Sequence, residues 1–106
     1  MSRLKTLWAI LTCALASGSA LAAPPSPQNG AKLARHWCAA CHIVSDDQTR
    51  GTDNVPTFAA IAARPGLDAK RIAKFLGDPH PKMPDMQLSR GEAADLAAYI
   101  ASLRKP

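Results

Sequence analysis

Apolar positions recur with a helical period along most of this chain. Gly30, Leu33, Ala34, Trp37, Cys38 and Cys41 fall at i, i+3, i+4, i+7, i+8 and i+11, a single stripe along one helix. Lys32, Arg35 and His36 lie off that stripe, so His36 is expected to face solvent. The spacing predicts a helix over 28–41, with Pro27 at its first position and Ser26 or Asn29 near the cap. Trp37 is expected in the core, and Gly30 suits close approach of another helix. The stretch 43–55 is polar and turn-rich, with Ser45, Asp46, Asp47, Gly51, Asp53 and Asn54, and reads as a surface loop. A short helix over 57–63 follows, showing Phe58, Ile61 and Ala62. Pro65-Gly66 breaks it. A third helix has Asp68 as N-cap, Leu67 stapling onto Ile72, and an apolar face of Ile72, Phe75 and Leu76. Gly77 is expected to stop it, and Pro79 to prevent its resumption. After an irregular stretch over 78–87, Ser89-Arg90-Gly91-Glu92 forms a capping box. It opens a last helix with Ala93, Leu96, Ile100 and Leu103 on its buried stripe and Tyr99 beside it. Arg104 and Lys105 suit the negative end of its dipole. No strand pattern or internal repeat intervenes, so the expected class is all-α.

The first two dozen residues fit none of this. Arg3 and Lys5 precede an apolar run over 7–16, and Ala20-Leu21-Ala22 fits a small-residue cleavage site. That is the arrangement of a Sec-type signal peptide. The run is shorter than the ~20 residues that span a bilayer. Cleavage is placed after Ala22, and no stable membrane insertion is expected afterwards. Cys13 reads as a small apolar residue of the signal core, because Thr12 before it fits a lipoprotein site poorly. Residues 23–29, with Pro24-Pro25-Ser26-Pro27, form a stiff leader. Residues 30–106 form one domain.

Composition narrows the function. The formal charge of +5 falls to +3 when Arg3 and Lys5 leave. No basic run exceeds two residues, which argues against nucleic acid as a partner. A domain this small buries only about 60–65% of its surface and usually gains from a staple. Two cysteines remain, Cys38 and Cys41. A bridge across so short a loop removes little unfolded-state entropy. That argues for another use.

The other use is written in Cys38-Ala39-Ala40-Cys41-His42. Two thiols three residues apart, followed at once by a histidine, form a c-type haem attachment site. Each thiol adds across one vinyl group, and on a helical turn both reach the same porphyrin edge. His42 then supplies an imidazole nitrogen to the iron as proximal ligand. The cofactor expected is one haem c, covalently held by Cys38 and Cys41. On the other face Met83 is the candidate ligand. It sits between Pro81 and Pro84, in a loop with little freedom to lose. Soft thioether sulfur favours ferrous iron and raises the potential. Met86 and His80 are the rivals, His80 giving bis-histidine ligation and a lower potential.

The pentapeptide after an amphipathic helix resembles the small class I monohaem cytochromes c of bacteria. So does Pro79-His80-Pro81-Lys82-Met83-Pro84, running into Leu88-Ser89 and the segment from Ala93 to Ile100. The likeness extends from about Gly30 to Leu103. It implies a class I cytochrome c-like fold, four short helices around one covalently bound haem. The first and last helices would cross, Gly30 and Trp37 facing Leu96 and Tyr99. It implies Met83, the methionine before the proline, as axial ligand. It also implies that the Pro56 carbonyl accepts a hydrogen bond from the proximal histidine, fixing the ring. Arg50 and Arg64 are candidates for the propionates.

The expected function is one-electron transfer between periplasmic redox partners, a dehydrogenase, oxidase or reductase, by a monomeric carrier. With both axial positions filled no substrate site remains, so no enzymatic activity is expected. Partners would dock briefly near the haem edge, with Lys82 and Lys32 or Arg35 at the rim. Such encounters bury under ~1,200 Å² and weaken with salt. Alternatives are a haem subunit of a larger dehydrogenase and, if methionine is absent from the iron, a gas-binding or sensing protein. A zinc or thiol-redox module built on Cys38, Cys41 and His42 lacks a second ligand pair and a βαβ pattern.

Overall fold

A computed structural model describes residues 18, 23–52, 54–78 and 82–106. The expected signal segment, apart from Gly18, lies outside the described residues, as do His80, Pro79 and Pro81. Four helices follow in order: α1 Pro27–Trp37, α2 Phe58–Ala62, α3 Ala69–Gly77 and α4 Arg90–Ser102. No strand occurs among the described residues. No helix among them is long and apolar enough to cross a membrane.

Each helix starts on an oxygen-bearing side chain. The side chains of Ser26, Thr57, Asp68 and Ser89 accept from the backbone N–H groups of Asn29, Ala60, Arg71 and Glu92, at 3.1, 3.0, 2.9 and 3.1 Å. Each cap satisfies one orphan donor of a first turn. Pro27 occupies the first turn of α1, where its missing N–H is not needed.

The helix ends differ from expectation at two places. α1 stops at Trp37 instead of continuing to Cys41. The Ala34 carbonyl takes both the Cys38 N–H at 2.9 Å and the Ala39 N–H at 3.0 Å, which widens the turn and breaks the ladder. A separate turn follows, in which the Cys38 carbonyl accepts from Cys41 and His42 at 3.1 and 2.8 Å. α3 includes Gly77, which is not left-handed. It ends on Asp78, extended at φ −93° and ψ 131°, as a residue before proline prefers.

α4 is the hub, packing against α1, α2 and α3. Ala93, Leu96, Ala97 and Ile100 are buried, joined by Ala34, Val44, Phe58, Ala62 and Ile72. Val44, read from sequence as loop, is 1% exposed, and its carbonyl accepts from the Tyr99 hydroxyl. α1 crosses α4 at Gly30, where a Cβ would overlap the Asp95 carbonyl and lie 2.8 Å from Tyr99 Cβ. Asp95 in turn takes the Ser26 N–H at 2.7 Å and the Asn29 side-chain amide at 2.8 Å. Arg104 does more than face the dipole. Its guanidinium donates to the carbonyls of Ala62, Arg64 and Leu67, at 2.8, 2.8 and 3.0 Å. This ties the end of α4 to the α2–α3 connection.

Candidate haem site

The helices leave an apolar cavity of about 700 Å³. That size lies within the roughly 300–1,000 Å³ common to cofactor sites. Cys38, Cys41 and His42 line it, as do Pro56, Met83 and Met86. The turn ending α1, the segment before α2 and the loop between α3 and α4 therefore converge on one space. All five site residues expected from the sequence reach it, and so does the rival Met86.

His42 is held at its ring. Its Nδ1 lies 2.6 Å from the Pro56 carbonyl oxygen. A carbonyl only accepts, so Nδ1 carries the proton, and in the neutral ring Nε2 keeps a free lone pair. Phe58, 3% exposed, stands beside the imidazole at a centroid distance of 5.4 Å. Thr57 caps α2 and Pro56 precedes the cap, so the start of α2 places the acceptor.

The two thiols are unbridged and differ in surroundings. Cys38 is buried, and that burial pushes its thiol up to about 11. Cys41 is exposed. It therefore departs from the buried stripe predicted for a helix reaching 41, because α1 ends before the period gets there. Among the described residues no three His, Cys, Asp or Glu side chains converge to hold a metal ion.

Other side chains on the cavity were read differently from sequence. Trp37, expected in the core, is 47% exposed and lines the cavity. Phe75, expected on the packed face of α3, is 53% exposed and lines it too. Both belong to an apolar wall, and helical periodicity does not distinguish a wall facing a cofactor from one facing another helix. Arg64 lines the cavity. Arg50 lies instead in a neighbouring cleft of about 470 Å³ with Cys41, Thr49 and Thr52. Lys82 is on the cavity wall. Lys32 and Arg35 are exposed, as is His36.

The residues fit a porphyrin. The space is large and mostly apolar, and one imidazole is fixed by a hydrogen bond to the Pro56 carbonyl. Two free thiols and two thioethers share the wall. A small all-α domain with a C-x-x-C-H turn on such a wall has the build of a class I cytochrome c-like fold.

Comparison with known proteins gives the same class. Residues 25–100 match the family model described as cytochrome C oxidase, cbb3-type, subunit III. Cytochrome c-552 of Bradyrhizobium diazoefficiens (strain JCM 10833 / BCRC 13528 / IAM 13628 / NBRC 14792 / USDA 110) is 50% identical over 101 residues, covering 95% of each chain. No solved structure matches. The chain belongs to the cytochrome c family, as a small monohaem cytochrome c. It is an electron carrier, and the cofactor of its family is haem c.

Proposed function

We propose that this protein shuttles single electrons between periplasmic redox partners through a haem attached by Cys38 and Cys41 and ligated by His42 and Met83. The observation that carries the reading is the 2.6 Å contact of His42 Nδ1 with the Pro56 carbonyl, on the wall of an apolar cavity that also holds both thiols. When bound, haem supplies a one-electron couple at iron. The chain's own residues do the rest. Pro56 holds the imidazole in one tautomer and one orientation. Cys38 and Cys41 anchor one porphyrin edge. Trp37, Phe58, Ile61 and Phe75 keep water from the ring faces. Met83 is preferred to Met86 because Pro84 follows it and Pro81 lies two residues before it, which restrains the loop in every state.

With two protein ligands the protein carries electrons and catalyses nothing. The chain is exported and its signal peptide removed after Ala22, and the carrier acts as a monomer. Partners dock briefly near Lys82 and the exposed Cys41. A second reading, a haem subunit of a larger oxidase, is favoured by the description of the matching family model. Co-purification of a stable complex would select it. A stand-alone pigment selects the carrier.

Optical spectra of exported, haem-loaded protein test the ligand set. Met83→Ala is expected to abolish the sulfur-to-iron charge-transfer band of the oxidised form and to let the reduced form bind carbon monoxide. Met86→Ala should do neither. The reverse result would move the ligand to Met86. Carbon monoxide binding by the unaltered protein at equilibrium would select gas binding.

A further inference from the structure

The loop after His42 contains a side chain with no part in the reading above. Gln48 is half-buried, and its amide is engaged entirely with backbone. Its Oε1 accepts from the Val44 N–H at 3.0 Å. Its Nε2 donates to the carbonyls of Ala39, His42 and Arg50, at 2.9, 2.7 and 2.8 Å. An amide group has two such protons, so three carbonyls share them through a three-centre bond. Two of those carbonyls belong to the Cys38–His42 pentapeptide, and the shortest contact is to His42.

The carbonyls on either side of His42 are held by main-chain donors. Thr52 N–H donates to Cys41 O at 2.8 Å, and Phe58 N–H to Ile43 O at 3.0 Å. At His42 itself the donor is a side chain, so this bond depends on the residue type at 48. His42 thus has two fixed ends. Its ring is held by the Pro56 carbonyl and its main chain by Gln48. With the backbone pivot and the ring Nδ1 both restrained, little rotation of the imidazole remains.

We propose that Gln48 is a positioning residue for His42: its carboxamide fixes the main chain of the ligand residue, so the imidazole keeps its bond to Pro56 while it holds iron. The proposal rests on the reading of His42 as an iron ligand. Removing Gln48 would free the pivot, and the ring would trade its fixed Pro56 bond for exchange with water. Mutating the partners that orient metal-ligating histidines typically costs about 10–100-fold in metal affinity or activity.

The test is hydrogen exchange of the His42 Nδ1–H, followed by NMR in the reduced haem-loaded protein. Gln48→Ala removes all four contacts. Gln48→Glu keeps an acceptor for Val44 but presents an oxygen to three carbonyls. Both variants should exchange this proton roughly tenfold faster than the unaltered protein. Unchanged exchange with normal His42 ligation, whatever the loss of overall stability, overturns the proposal and leaves Gln48 as a loop brace. A different residue on the iron of the unaltered protein would overturn this proposal and the ligand reading together. If both variants fail to mature, the unaltered protein still decides. Its Gln48 side-chain amide protons should be resolved and slowly exchanging, and freely exchanging amide protons would refute the assignment.

Discussion

Asp95 shows how much one side chain can join. Its carboxylate takes the Ser26 N–H and the Asn29 amide across the α1–α4 contact. It also sits at the positive end of the α1 dipole. Those two hydrogen bonds, the Ser26 bond first, hold its carboxyl below the usual carboxylate range. The folded value lies below the unfolded one, so the unfolded chain takes up the proton first as pH falls. The stabilisation is complete above the unfolded value of about 3.9 and is lost on acidification through the folded value. Denaturant midpoints at pH 7 and pH 3 should therefore converge in Asp95→Asn relative to the unaltered protein. An equal drop in both proteins would show that Asp95 does not contribute. The dyad partners were legible only in part. Ser26 was one of two candidate caps, with Asn29, but nothing local to Asp95 says that it reaches back 69 residues.

Among elements, the crossing of α1 over α4 is set by the missing side chain at Gly30. Gly30→Ala would drive a methyl into the Asp95 carbonyl and Tyr99 Cβ. The clash is with backbone, which cannot rotate away. A loss of about 1–3 kcal/mol is expected by equilibrium denaturation, as for other overpacked sites. Gly91→Ala is the contrast. Its Cβ would meet nothing nearer than Ser89 Oγ at 4.0 Å, so better helix propensity should leave it neutral or slightly more stable. Equal losses at the two glycines would refute the crossing argument. Helix starts were readable from Asp68, Ser89 and the pair Ser26 or Asn29 because a cap is a short-range hydrogen bond. The end of α1 was not, because the double use of the Ala34 carbonyl is a backbone event without a residue signature.

For the whole molecule, the packed residues make only part of a core, and the cavity takes the place of the remainder. Trp37 and Phe75, each about half exposed, line that cavity. A Cys38→Ala/Cys41→Ala chain, unable to anchor haem, should show reduced far-UV helix signal, weak unfolding cooperativity and binding of an apolar dye. A fully helical, cooperatively unfolding apoprotein would contradict the view that the cofactor completes the core.

The amino-acid order alone was enough for four helices, the caps at Asp68 and Ser89, the C-x-x-C-H pentapeptide and the cytochrome class. These depend on neighbours within a turn or two, where spacing is chemistry. Only the folded chain decided that Trp37 lines a cavity, that Val44 belongs to the core, and that Arg104 and Gln48 bind carbonyls. Each of these depends on how the chain folds back on itself, and a one-dimensional pattern carries no record of which carbonyl a side chain will meet.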